Sequence, residues 1–111
     1  MVRNARRYLG IDLNRRLLMT LGGHYEGKVT AVAEEEHYDN WQGTLEKSVL
    51  YFSDGYRKIL GRENLYALID ALGEDMDEWV GAGIRLGVGL KGIVKLEVIE
   101  HPGKIHVVRG N

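Results

Sequence analysis

Only one long segment of this chain has the residue spacing of an α-helix. Four apolar residues at i, i+3, i+4 and i+7 share one helical face: Leu65, Leu68, Ile69 and Leu72. Asn64 can cap the start of this helix, and Gly73 stands where a left-handed C-terminal residue is favoured. Apolar residues elsewhere follow strand-like patterns. We therefore expect a β-rich fold with one long helix over residues 64–72.

A long strand is predicted near the start of the chain. Residues 17–34 are rich in strand formers, and Gly22-Gly23 interrupts them, which favours a strand that bends. Residues 37–45 contain several turn formers, so they are predicted as a loop.

A β-hairpin is predicted directly before the helix. Asp54-Gly55 is the strongest hairpin signal in the chain. It joins a second strand over residues 47–53, whose middle is continuously apolar, to a third strand over residues 56–60. These two strands are expected to pair.

A short helical turn is predicted after the helix. Asp75 and Glu78 have the spacing of a capping box, which favours one turn over residues 76–80, ended by Gly81. Trp79 is expected to plug the core, and it would count as a stacking residue only if it were exposed.

A second hairpin closes the predicted domain. Residues 84–90 and 93–99 read as strands around the turn Lys91-Gly92, and residues 104–108 can extend the sheet. Gly87 and Gly89 lie on one face of the first of these strands, where they permit either close barrel packing or an open groove.

The predicted order of three strands, a helix and two strands describes the OB-fold, a five-stranded, partly open Greek-key barrel. We expect residues 17–111 to form this single domain. Residues 1–16 are predicted as a basic N-terminal arm. Residues 1–20 carry a net charge of +4, since five arginines oppose one aspartate: Arg3, Arg6, Arg7, Arg15 and Arg16 against Asp12.

Composition excludes several classes of site. The chain has no cysteine, so disulfides and thiolate metal sites are absent. Its four histidines lack metal-site spacing, and no nucleophile and base stand together. No apolar run approaches the ~20 residues of a membrane span. We predict a cytosolic protein with no catalytic residue, metal, cofactor or membrane partner.

Charge limits how nucleic acid could be bound. The net charge is −1, so no global basic field attracts a polyanion. Two acidic runs, within residues 34–39 and 74–78, do not suit DNA contact and are expected to be solvated. Any affinity for nucleic acid must come from a local patch.

Three features give the chain a resemblance to a known family. They are VLYF (49–52), a helix entered through Asn64, and the acidic Trp-x-Gly block GEDMDEWVG (73–81). These residues resemble a family of small uncharacterised phage and prophage proteins of OB-fold-like type. The resemblance implies a phage context, with the host cytoplasm as location for a viral protein, but no activity. The chain departs from the family at LGREN (60–64) and in its last strand.

The favoured function is binding of single-stranded DNA with little sequence preference, because OB-folds bind oligonucleotides with stacking aromatics and basic residues. The candidate residues belong to the second and third strands and their neighbours: Lys47, Tyr51, Tyr56, Arg57, Lys58, Arg62 and Trp41. If Leu50 and Phe52 face the core, Tyr51 either faces the groove or is half-buried.

Two other functions stay open. One is a phage structural or adaptor module that binds another protein through a sheet edge or an exposed aromatic loop. The other is an oligosaccharide-binding barrel. The predicted partner is thus a single-stranded nucleic acid or a phage protein, and the sequence is compatible with a homo-oligomer.

Overall fold

The computed structural model describes residues 10–39 and 43–102. This part of the chain contains six strands: β1 (Ile11–Asp12), β2 (His24–Asp39), β3 (Gly43–Phe52), β4 (Tyr56–Ile59), β5 (Gly83–Val88) and β6 (Val94–Glu100). It also contains helices α1 (Arg15–Thr20) and α2 (Arg62–Leu72), and 3₁₀ turns at Met76–Trp79 and Leu90–Gly92. The predicted β-rich fold with one main helix is confirmed. Neither α1 nor α2 has the length and apolar character needed to cross a membrane.

The strands form one curled, half-barrel sheet in the order β1-β4-β3-β2-β5-β6. Strand β2 joins its two halves, because residues 24–28 pair with β5 whereas residues 29–39 pair with β3. The register shifts between Val29 and Ala31, which marks a β-bulge at Thr30. The predicted long, bent strand therefore exists.

The strand predicted over residues 17–34 corresponds to β2 and begins later than expected. Residues 17–20 belong to α1, and β2 starts at His24. Gly22 and Gly23 adopt φ angles of 96° and 92° in the turn between them, so these glycines make a helix-to-strand turn rather than a bend within a strand.

The loop predicted over residues 37–45 is mostly strand. β2 continues to Asp39 and β3 begins at Gly43, with Asp39 directly opposite Gly43 and His37 opposite Leu45. Turn formers occupy both strand ends, and cross-strand pairing outweighs their local preference. Residues 40–42 lie outside the described residues.

Both short hairpins are confirmed. Gly55 has a φ of 91° in the β3–β4 turn, as the Asp54-Gly55 signal requires. β5 and β6 pair antiparallel around the turn Leu90–Gly92, in which Lys91 has a φ of 65°. The extension predicted over residues 104–108 lies outside the described residues.

The hydrophobic core lies inside the curled sheet and is covered by α1, α2 and the 3₁₀ turn Met76–Trp79. Leu68 is fully buried, and Leu65, Ile69 and Leu72 pack against the core, as their helical spacing predicts. Trp79 is 1% exposed, and its indole N–H donates to the Gly73 carbonyl at 2.9 Å. It is the predicted core plug.

Asn64 does not cap α2. The helix starts at Arg62 behind Gly61, and Asn64 is a buried residue of its first turns. Its amide donates to the Val94 carbonyl at 3.3 Å and accepts from the Leu96 N–H at 3.2 Å. The side chain thus takes the place of a neighbouring strand along this stretch of β6.

The described residues form six strands in an open sheet, not the five-stranded barrel expected from the strand order. Strand β1 pairs in parallel with β4 on one side, and Asn64 occupies part of the outer side of β6 on the other. No pairing between β4 and β6 exists in this part of the chain.

The predicted boundary at residue 16 is not a structural boundary. Ile11–Asp12 is strand β1, and Leu13 is 1% exposed in the core. Asn14 caps α1 by accepting from the Leu17 N–H at 2.9 Å. Residues 10–16 are therefore integral to the fold, and residues 1–9 of the predicted arm lie outside the described residues.

Truncating the core plug should be costly. Trp79→Ala removes the ring and leaves a cavity, so the free energy of unfolding should fall by about 3 to 5 kcal/mol. Urea denaturation measures it, with Tyr66→Ala as control, since Tyr66 is 57% exposed on α2. Equal effects of the two substitutions would contradict the core role of Trp79.

Loss of the Asn64 amide should also destabilise the fold. Asn64→Ala leaves the Val94 carbonyl and the Leu96 N–H without this partner, at a cost of about 1 to 3 kcal/mol. Amide hydrogen exchange should show Leu96 losing protection well before the β3–β4 hairpin does. Unchanged protection at Leu96 would refute the bridge.

Candidate functional site

The sheet register divides the predicted binding residues between two faces. We call the face that carries Leu50 and Phe52 the inner face, because both side chains belong to the core. Residues paired across neighbouring strands share a face. Tyr51 and Arg57 are paired and share the outer face with Lys47, whereas Lys58 pairs with Leu50 and turns inward, as does Tyr56. Arg62 is exposed at the start of α2, and Trp41 lies outside the described residues.

Tyr51 is not available as an exposed stacking ring. Its side chain is 5% exposed, and its hydroxyl donates to a Glu35 carboxylate oxygen. Thr30 donates to the Tyr51 carbonyl at 3.1 Å, which fastens the bulge to the same residue. Tyr51 is more deeply buried than either alternative drawn from the sequence.

The charge of Arg57 is already compensated. Its Nε atom pairs with Asp12, and its Nη1 atom lies 3.6 Å from Glu35 Oε1. Only 16% of its side chain is exposed. A guanidinium committed to two carboxylates would have to break these contacts before binding a phosphate.

These contacts define an outer-face cluster of five side chains: Asp12, Glu35, His37, Tyr51 and Arg57. His37 Nε2 lies 3.2 Å from Glu35 Oε1 and completes it. The cluster sets one arginine against two carboxylates, so the guanidinium leaves no excess positive charge there. The cluster is a network of ion pairs and hydrogen bonds that connects β1, β2, β3 and β4. It is not the basic patch that nucleic-acid binding requires.

Lys58 and Tyr56, the two candidate residues that face inward, both contact other parts of the fold. The Lys58 ammonium donates to the Leu13 carbonyl at 3.4 Å, and burial lowers the pKa of Lys58 against an opposing effect of Asp12. The Tyr56 ring packs edge-on against Tyr25 with centroids 5.5 Å apart.

Tyr25 links the core to the β3–β4 turn. Its hydroxyl lies 2.8 Å from both carboxylate oxygens of Asp54. The ring crosses Gly27 so closely that a Cβ there would overlap the Tyr25 hydroxyl. Burial, and secondarily the hydrogen bond to Asp54, raise the pKa of Tyr25 well above its ordinary value.

Among the open depressions on the described surface, two adjoin residues singled out above. The larger, of about 910 Å³, lies beside the bulge and is lined by Thr30, Tyr51, Gly55 and Val80 among others. The smaller, of about 390 Å³, runs past Gly87 and Gly89. A Cβ on Gly87 would meet no atom within 4 Å, so close packing does not explain this glycine and the groove alternative fits better.

A two-stranded ribbon projects beyond the rest of the sheet. Strand β5 accompanies β2 only as far as Lys28, and β4 accompanies β3 only from Val49 onward. Residues 34–39 of β2 and 43–48 of β3 therefore pair with each other and with no other described strand. We call this segment the ribbon.

One side of the ribbon presents backbone groups that no described strand pairs. The Leu60 N–H donates to Ser48 at 2.9 Å, so even-numbered β3 residues direct their backbone groups toward the β4 side. Directions alternate along a strand, so odd-numbered β3 residues bond the odd-numbered β2 residues opposite them. Val32, Glu34 and Glu36 must then direct their N–H and C=O groups away from β3. We call this the free edge of β2.

Local sequence patterns do not reveal this edge. Turn formers predict a loop over residues 37–45, which hides the ribbon, and nothing local indicates that β5 begins opposite Lys28. Glu35 and His37 were also missed as members of the outer-face cluster. Period-two alternation does separate them from Glu34 and Glu36, once a strand is assumed there.

No protein-family model, curated protein or solved structure matches this chain. The resemblance to phage proteins therefore stays a prediction.

The raised pKa values of Tyr25 and Tyr51 predict how the free energy of unfolding changes in alkaline solution. Burial first, and then contact with Glu35, raises the pKa of Tyr51, as burial and Asp54 raise that of Tyr25. In the unfolded chain both ionise near pH 10. Above that pH the folded state holds more protons than the unfolded state, so the free energy of unfolding falls as pH rises through the folded pKa values.

Urea denaturation between about pH 8 and 11 measures this fall. A Tyr25→Phe, Tyr51→Phe double variant should be less stable near pH 8, by about 0.5 to 1.5 kcal/mol for each lost hydrogen bond. Its stability should then decline less steeply above pH 10 than that of the unsubstituted chain. Tyr66→Phe is the matched control, and parallel curves for all three proteins would contradict the interpretation.

Proposed function

We propose that this chain is a non-catalytic protein-interaction module that binds an extended segment of its partner by strand addition at the free edge of β2. The single observation that carries the proposal is the outward direction of the backbone groups of Val32, Glu34 and Glu36. Exposed strand edges are templates for an incoming strand, whose backbone hydrogen bonds supply affinity. Among the alternatives, this is the adaptor module that acts through a sheet edge.

The other strand edges favour the same location. Strand β4 is covered by β1, and part of β6 by Asn64. The free edge of β2 extends from Val32 toward Asp39, which is longer than the stretch of β3 left beyond β4. It therefore offers the longest pairing surface among the described residues.

Binding of single-stranded DNA remains a second candidate, and one observation favours it. The loop between β5 and β6 carries Lys91 and a Leu90 that is 91% exposed, beside the groove lined by Lys95. OB-folds use the corresponding loop for oligonucleotides, and the helix between the third and fourth strands from β2 onward supports an OB-type relationship. The phage context belongs to this proposal through the resemblance alone.

DNA binding has the weaker support, for electrostatic reasons. Arg57 is paired with two carboxylates, Tyr51 is buried, and Lys58 turns inward. Each neutralised phosphate adds about 0.7 to the slope of log affinity against log salt, and few of the predicted cations remain to contribute.

Two titrations separate the candidates. Peptides selected by display on the full chain should bind it and should lose binding to Glu34→Pro. This proline removes an outward N–H and leaves the pairing with β3 intact. A fluorescent 20-nucleotide thymidine oligonucleotide should show no saturable anisotropy change in low salt.

The opposite pattern would overturn the proposal. Oligonucleotide binding that Lys91→Ala and Lys95→Ala weaken, together with peptide binding indifferent to Glu34→Pro, would favour the DNA candidate. Lys28→Ala is the matched control, since it removes an exposed lysine that is not among the candidate contacts.

A further inference from the structure

The two faces of the ribbon differ in charge. On the outer face, Glu35 contacts Arg57 and stands opposite Lys47. On the opposite face, Glu34 and Glu36 are exposed neighbours on β2, and Glu36 stands directly opposite Glu46 of β3. Within residues 10–39 and 43–102, no ion pair neutralises these three carboxylates.

This arrangement has an energetic cost in the isolated chain. Like charges directly across an antiparallel pair destabilise it, and a two-stranded ribbon is marginally stable to begin with. A cation placed between or beside Glu36 and Glu46 would relieve the repulsion. The same face continues to Glu34 two residues along β2.

The free edge and these carboxylates belong to the same residues. Glu34 and Glu36 direct their backbone groups outward, so an added strand would form hydrogen bonds with them and place a side chain beside each. Side chains opposite each other share a face, and alternate residues along a strand stand about 7 Å apart. The residues beside Glu34 and Glu36 are therefore separated by one residue of the partner.

We propose that the segment bound at the free edge carries a lysine or arginine at every second position, so that its cations face Glu34, Glu36 and Glu46. This specificity rests on the proposed function, because it names the chemistry of the strand that the edge accepts. The intervening residues lie beside Ala33 and Glu35 on the outer face, where small or polar strand formers fit.

The experiment uses synthetic heptapeptides and the full chain labelled with ¹⁵N. One peptide alternates lysine and threonine, and its isomer of equal composition groups the lysines at one end. In the free chain, amide exchange should be slow at Ala33 and Glu35 and fast at Glu34 and Glu36. Saturation with the alternating peptide should slow exchange at Glu34 and Glu36, and the isomer should bind at least severalfold more weakly.

Charge variants test the cations separately from the backbone. Glu34→Gln and Glu36→Gln should each weaken binding of the alternating peptide by about two- to fivefold, the range of one cross-strand charge pair. Their effect should shrink in high salt. Glu46→Gln keeps the free edge intact and tests whether the cations also interact with this third carboxylate on the shared face. Glu63→Gln is the control and should have no effect, because Glu63 is exposed in the first turn of α2.

Failure of this inference can be distinguished from failure of the proposed function. Equal binding of both lysine peptides, or binding without new protection at Glu34 and Glu36, would overturn the alternating pattern. The interaction module would still stand if display-selected peptides lost binding to Glu34→Pro. If neither lysine peptide nor any selected peptide binds at this edge, both proposals fall together.

Discussion

The change of partner along β2 is the constraint on which the rest of the structure depends. At Val29 the strand bonds the chain just before β5, since its N–H donates to the Ala82 carbonyl and its carbonyl accepts from Gly81. At Ala31, after the bulge at Thr30, it is paired with β3. One strand therefore serves both halves of the core. Because β5 begins at Gly83, opposite Lys28, the residues of β2 beyond the bulge pair with a described strand on one side only.

An open sheet has exposed strand edges, and in this structure some of these edges are covered whereas others are not. Strand β1 covers β4, and the amide of Asn64 bonds β6 in the manner of a strand. Both solutions satisfy buried or half-buried backbone groups, which are costly to leave unpaired. The ribbon projects beyond the core, where water can satisfy its backbone. Its edge thus stays open at little cost in hydrogen bonding, and strand addition needs only to displace water.

Sequence patterns predicted the parts of this fold that local chemistry decides. Asp54-Gly55, the four apolar residues of α2 and the cap at Asp75 each act within a few residues, and the structure has all three. Helix α1 was missed because its six residues are too short for a period, and Asn64 was misassigned because its partners lie about 30 residues away. The site was harder still. Arg57 has the right charge for phosphate, but Asp12 and Glu35, from two other strands, decide that it is compensated.

Acidic residues at the free edge have a consequence for self-association. Two copies of this edge would bring Glu34 and Glu36 of one chain toward those of the other, and directly opposed like charges destabilise strand pairing. Natural edge strands use charge in this way to prevent aggregation. The same charges would attract a segment of opposite sign. The backbone groups beside them have no strand partner among the described residues, so they could form hydrogen bonds with that segment. Under the proposed strand addition, the same pair of glutamates would therefore oppose a second copy of the chain and favour a basic segment.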